Sequence, residues 1–301
     1  MVRGRNRCVH FAPVMAGDAY GPRRPAGGRA YARAMPPAKK RLRSYDSAKI
    51  RTAVLTQFGT VREAVARLTP EQLALPTALG DWTVRELAAH LSMAVESVNR
   101  YLEQPEHPGP PPGPVAVLPE WPFTTAAHAP AISEDIRALA ASATPDELFE
   151  RAGTRIAALL PGASDDRLLA TRIGAIRLGD YLVTRTVELI VHTDDLNRAA
   201  GLSVPYERQA LAACTRLLAD ALAVKAPGAS TEVRIPPYAV VQCVEGPRHT
   251  RGTPPNVVET DPLTWVRLAT GRTTWREALD AARVGASGER ADLAGLLPLM
   301  G

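Results

Sequence analysis

Arg177-Leu-Gly-Asp-Tyr-Leu-Val-Thr-Arg-Thr-Val-Glu-Leu-Ile-Val-His-Thr-Asp-Asp-Leu-Asn-Arg-Ala-Ala-Gly201 has the spacing of one long helix. Leu178, Tyr181, Leu182, Leu189 and Leu196 fall on one face, at the intervals expected of an apolar stripe turned toward a core. Gly201 supplies the left-handed stop that commonly ends a helix. The same face carries Arg185, Glu188 and His192, so charge interrupts the stripe where burial is expected. Glu188 and His192 are four residues apart, roughly 6 Å between Cβ atoms, close enough for a carboxylate and an imidazole to share one ion. On the spacing alone a hydrogen-bonded helical pair is the simpler reading, and Arg185, three residues from Glu188, is a rival to a metal as partner of the carboxylate.

Working toward the N-terminus, Asp81-Trp-Thr-Val-Arg-Glu86 reads as a helix start, because Glu86 follows Thr83 at capping-box spacing. The helix then runs to about Gln104, with His90 beside the stripe of Val84, Leu87, Leu91, Ala94 and Val98. Two helices thus project His90, and Glu188 with His192, toward one bundle interior. Three N/O ligands with a fourth position open is the composition of a catalytic rather than a structural zinc site. A further helix is expected over 46–68, and another over 133–160 with a break near Pro145. The stretch Pro105 to Pro122 is too proline-rich for regular structure and predicts a long loop of the kind that borders binding sites.

After a helix over 206–224 the texture changes. Glu232-Val-Arg-Ile, Ala239-Val-Val-Gln-Cys-Val and Asn256-Val-Val-Glu are short β-branched runs separated by Pro and Gly, which is strand grammar. Helical patterns return over 261–270, 275–283 and 289–297, with Val284-Gly-Ala-Ser-Gly288 as a short strand or turn. Fold class is therefore α followed by α+β: a basic extension over 1–44, a helical bundle over 45–203, and a small mixed domain over 204–301.

Charge is uneven. Residues 1–44 hold eleven Lys and Arg against the single acid Asp18, so although the chain's formal net charge is +5, the part after Ser44 holds about −5. Basicity therefore argues for no nucleic-acid binding by the folded domains. The extension is rich in Arg, Gly, Pro and Ala, which predicts that it does not order itself; Met35 offers a second translation start. The apolar stretch near Val9 to Met15 is broken by His10 and Pro13 and is too short for a secretory leader, and no run is long and apolar enough to enter a membrane. Cys8, Cys214 and Cys243 stand far apart, without metal-site or disulfide spacing; each reads as an inert thiol in a reducing, cytoplasmic compartment. His107 and His128 fall in or near the proline-rich stretch and add little to the ligand count.

The residues also carry two resemblances. Gly80-Asp-Trp-Thr-Val-Arg-Glu-Leu-Ala-Ala-His90-Leu and Glu188-Leu-Ile-Val-His192-Thr-Asp-Asp resemble, in order and spacing, the two motifs of the mycothiol-dependent maleylpyruvate isomerase family, a DinB-like four-helix bundle. This resemblance covers about 46–202. It implies that His90, Glu188 and His192 hold a divalent metal, usually zinc, and that mycothiol, the thiol cofactor of actinobacteria, binds at the open position. Arg234-Ile-Pro-Pro-Tyr-Ala-Val-Val-Gln-Cys-Val-Glu-Gly-Pro-Arg248-His249-Thr-Arg251 through Asp261-Pro, Leu268-Ala-Thr-Gly-Arg272-Thr-Thr-Trp275 and Gly285-Ala-Ser-Gly-Glu-Arg resemble the bacterial sterol-carrier-protein-like domain, which implies an α+β fold with an apolar groove.

Together these readings predict a metal- and mycothiol-dependent isomerase or thiol transferase for a small electrophilic substrate. Asp194 or Asp195 is placed to orient His192. Arg272, Arg248 and His249, with Arg251, are candidates to grip an anionic substrate; the same charges would equally serve to cap helices or fix the contact between the two domains. The alternative function is a non-enzymatic carrier that binds a lipid or other apolar ligand through the C-terminal domain.

Overall fold

The computed structural model describes residues 43–106, 115–246 and 254–300. Helix α1 (Ser47–Val65) starts on Asp46, whose carboxylate accepts from the Lys49 N–H. A single turn, α2 (Pro70–Leu73), leads to α3 (Val84–Glu103). As the capping-box spacing predicts, Glu86 accepts from the Thr83 N–H at 2.8 Å. The expected third helix is two: α4 (Ala129–Ser142) and α5 (Pro145–Leu159). They part where Pro145 withholds an N–H and Thr144, paired with Glu147, caps the new start.

A hairpin not anticipated from the sequence comes next, β1 (Leu168–Thr171) and β2 (Gly174–Arg177), paired from Leu168↔Arg177 to Thr171↔Gly174. Four-residue strands are too short to leave a clear alternation. Part of the proline-rich stretch is ordered more than expected. Ala116 N–H donates to Ala175 O, and residues 118–124 form a 3-10 turn that buries Leu118, Trp121 and Pro122. The long helix is α6 (Leu178–Ala200), ended by Gly201 at φ 65°, ψ 34°.

Helix α7 (Arg208–Lys225) packs on α1 and α6, and also on the C-terminal sheet. That sheet consists of β3 (Thr231–Ile235), β4 (Ala239–Cys243), β5 (Val257–Thr260) and, after α8 (Pro262–Ala269) and α9 (Trp275–Asp280), β6 (Val284–Ser287). Spatial order is β4-β3-β5-β6, with β3 and β5 parallel and the other neighbours antiparallel. The helix expected over 289–297 is reduced to one 3-10 turn, Ala294–Leu296. Two local bonds compete with it: Asp292 accepts from the Ala294 N–H, and Asn256 accepts from the Arg290 N–H.

Ser44–Gly301 is one compact unit. One buried apolar cluster runs from Ile50 and Phe58 in α1 through Leu189 in α6 and Leu217 in α7 to Val233 in β3 and Trp265 in α8. Among the described residues no helix is long and apolar enough to cross a membrane.

Candidate metal centre

Packing of α3 on α6 brings His90 against Glu188 and His192. His90 Nε2 lies 3.1 Å from His192 Nε2 and 3.2 Å from Glu188 Oε2, and His192 Nε2 lies 3.4 Å from the same oxygen. Zinc held tetrahedrally at about 2.0–2.1 Å sets its ligand atoms roughly 3.3–3.4 Å apart. The three atoms therefore approximate one face of such a tetrahedron. Their side chains are only 11–17% exposed, and two imidazoles with one carboxylate are a donor set suited to zinc. The residues fit a divalent cation.

His192 Nδ1 is 2.9 Å from Asp195 Oδ2. A carboxylate only accepts, so Nδ1 carries a proton, and Nε2 is the ring nitrogen turned toward Glu188 and His90. Burial alone would lower the His192 pKa, but hydrogen bonds to Asp195 and Glu188 outweigh it and raise it. His90 goes the other way, lowered by burial and by neighbouring His192; its Nδ1 is buried and has no partner among the described residues. Burial would raise Glu188, yet bonds from both imidazoles and the charge of Arg185 hold it well below the carboxylate range. Arg185 is thus a contributor at longer range. Its guanidinium is 4.0 Å from Glu188 Oε1, bonds to Thr184 Oγ1, and lies 4.3 Å over the Tyr181 ring.

Of the two acids offered by the sequence, only Asp195 touches His192. Asp194 instead accepts from the Tyr206 hydroxyl and from Arg267 in α8. Arg272 donates to both oxygens of Asp195.

The triad opens into a cavity of about 400 Å³. Trp82, Tyr101, Trp121 and Ile132 give it apolar walls, while Arg100, Arg172, Arg185 and Arg272 bring guanidinium groups to it. Arg172 comes from the tip of the β1–β2 hairpin and is paired with Asp135 of α4 at 2.6 Å. Of the anion-gripping candidates, Arg272 is in the wall, whereas Arg248, His249 and Arg251 lie outside the described residues, as do His107, Cys8 and the extension over 1–42. Arg100 and Arg172 carry no mark in the sequence. The one signal pointing to this wall is the proline-rich stretch, whose described end places Trp121 and Thr124 in it and leads on to His128. Cys214 is buried in α7, where burial pushes its thiol up, and is not among the cavity residues.

No curated protein matches the chain. A family model described as the mycothiol maleylpyruvate isomerase N-terminal domain matches residues 54–197, and one described as the bacterial SCP ortholog matches 207–299. Among solved structures, the mycothiol-dependent maleylpyruvate isomerase and a histidine-to-alanine mutant of it each align with a TM-score of 0.53 and 15% identity, covering 82% of this chain and 95% of theirs. At that identity the likeness is one of fold, a helix-rich region followed by a small sheet domain. The chain is therefore similar over residues 54–197 to the mycothiol maleylpyruvate isomerase N-terminal domain and over 207–299 to the bacterial SCP ortholog.

Proposed function

We propose that this chain is a metal- and mycothiol-dependent isomerase or thiol transferase acting on a small electrophilic substrate, with His90, Glu188 and His192 as the metal ligands. The observation that carries the reading is the triangle of ligating atoms, 3.1, 3.2 and 3.4 Å on its sides, open on one side to a cavity of about 400 Å³. The match of residues 54–197 to a family model described as the mycothiol maleylpyruvate isomerase N-terminal domain points the same way. A divalent cation bound there would lower the pKa of a thiol toward neutrality, so that a nucleophile is available without a cysteine of the chain.

The chain's own residues have defined tasks in this reading. Asp195 fixes the His192 tautomer, and Glu188 stays ionised because the imidazoles and Arg185 surround it. Trp82, Trp121 and Tyr101 line the cavity with apolar surface, which lowers the local dielectric and strengthens the charge interactions beside it. Arg100 and Arg185 offer an anionic substrate a place to bind.

Metal analysis of the purified protein tests the proposal. The expected result is close to one equivalent of zinc or a similar ion, most of it lost in His90→Ala and in His192→Ala, with mycothiol binding by calorimetry only to the loaded form. Metal-free protein that binds mycothiol with undiminished affinity would overturn it. A metal-free protein that binds a lipid instead would favour the carrier.

A further inference from the structure

Asp194 and Asp195 are neighbours on α6, 2% and 6% exposed, and each meets one arginine from the C-terminal region. Arg267 donates to Asp194 at 2.8 and 2.7 Å, and Arg272 donates to Asp195 at 3.2 and 2.8 Å. The two pairs are chemically alike but lead to different places. From Asp194 the chain of bonds runs to the Tyr206 hydroxyl and on to Asn197, away from the ligand triangle. From Asp195 it continues to His192 Nδ1, on the ring whose Nε2 faces His90 and Glu188.

Arg272 is itself held. Its third nitrogen donates to Thr270 O at 2.7 Å, and its backbone N–H closes on Arg267 O at 2.8 Å. Between them Gly271, at φ 73°, makes the left-handed turn that ends α8 and aims the side chain at α6. All three guanidinium nitrogens are therefore engaged within the protein, two of them on one carboxylate. Such a fork fixes the plane of Asp195, and Asp195 in turn fixes the tilt and tautomer of His192.

We infer that Arg272 is a positioning residue for the metal centre, through which the C-terminal region completes a ligand set that lies wholly on α3 and α6. The inference rests on the proposal that the triad holds a metal. It assigns the C-terminal region a part in metal affinity, separate from any ligand of its own. Partners that orient a ligating histidine are worth about 10–100-fold in metal affinity.

The test uses the full chain, stripped of metal and titrated with zinc against a chromophoric chelator at neutral pH. Cobalt(II) absorption serves as a second readout of ligand geometry. Arg272→Gln is expected to weaken zinc binding about 10–100-fold and to alter the cobalt spectrum. Arg267→Gln removes the sister pair from the same junction; it is expected to lower the melting temperature but leave zinc affinity within about twofold. In an Asp195→Asn background, Arg272→Gln should add less than about twofold, because its effect passes through that carboxylate. If Arg272→Gln does not fold, Arg272→Lys keeps the charge without the fork and is expected to show an intermediate loss. Unchanged zinc affinity in the Arg272 variants, or an equal loss in Arg267→Gln, would overturn the inference while leaving the triad intact. A wild-type chain that takes up no zinc would instead sink the proposed function, and the inference with it, before any variant is made.

Discussion

Glu188 illustrates at the scale of one residue why charge interrupts an apolar helix face. A buried carboxylate without partners costs several kcal/mol; here two imidazoles lie within 3.4 Å of one oxygen and Arg185 approaches the other. The ionised form is favoured in spite of burial. Tyr206 is a simpler case in which the sign can be followed into stability. Burial, aided by the negative charge of Asp194 and opposed by a bond from Asn197, pushes its pKa up to about 12. An unfolded tyrosine ionises near about pH 10, so between about 10 and 12 the unfolded chain gives up a proton that the folded chain keeps. The stability contribution is complete below about pH 10 and is lost as pH rises through about 12. Tyr206→Phe removes the ionisable group, and its melting temperature should fall less steeply than wild type across that window. Parallel profiles for the two proteins would contradict the assignment.

At the scale of elements, stops matter as much as periodicity. Gly201 ends α6 in the left-handed region, with open space where a Cβ would stand. Gly201→Ala therefore meets only backbone strain, and should cost about 1 kcal/mol, or roughly 2–4 °C in melting temperature for a chain of this size. Gly288, at φ 103° after β6, differs because a Cβ there would stand 2.2 Å from Pro255 O. Backbone cannot swing aside as a side-chain tip can, so Gly288→Ala should be clearly the more destabilising of the two. Urea denaturation of both variants gives the order, and the reverse order would contradict this account. The element boundaries most plainly written in the sequence were those with a cap or a breaker, such as Thr83 with Glu86 and the break at Pro145. The β1–β2 hairpin carried no such mark.

Over the whole molecule, the change of texture near residue 204 does not divide the buried core. α7 lies against α1 and α6 as well as β4 and α8, and the Asp194–Arg267 and Asp195–Arg272 pairs bridge the same junction. Ser44–Gly301 is therefore expected to unfold in one transition, with calorimetric and van't Hoff enthalpies equal; two resolved transitions would show that the regions fold independently. Much of this protein was determined by sequence alone. Helical spacing put Leu178 to Leu196 on one face and set Glu188 and His192 one turn apart, because a helix fixes which residues share a side. Capping chemistry placed the start of α3, and with it the position of His90. Spacing within one helix could not decide whether Arg185, a hydrogen bond or an ion was the partner of Glu188, since all three lie within reach of it. Only the packing of α3 on α6 decided the distances among His90, Glu188 and His192. Only the approach of α8 and the turn after it to α6 decided which arginine meets each of the two adjacent aspartates, giving Arg272 to Asp195 and Arg267 to Asp194. Contacts between elements distant in the chain depend on how faces meet, and a linear pattern carries the faces but not their meeting.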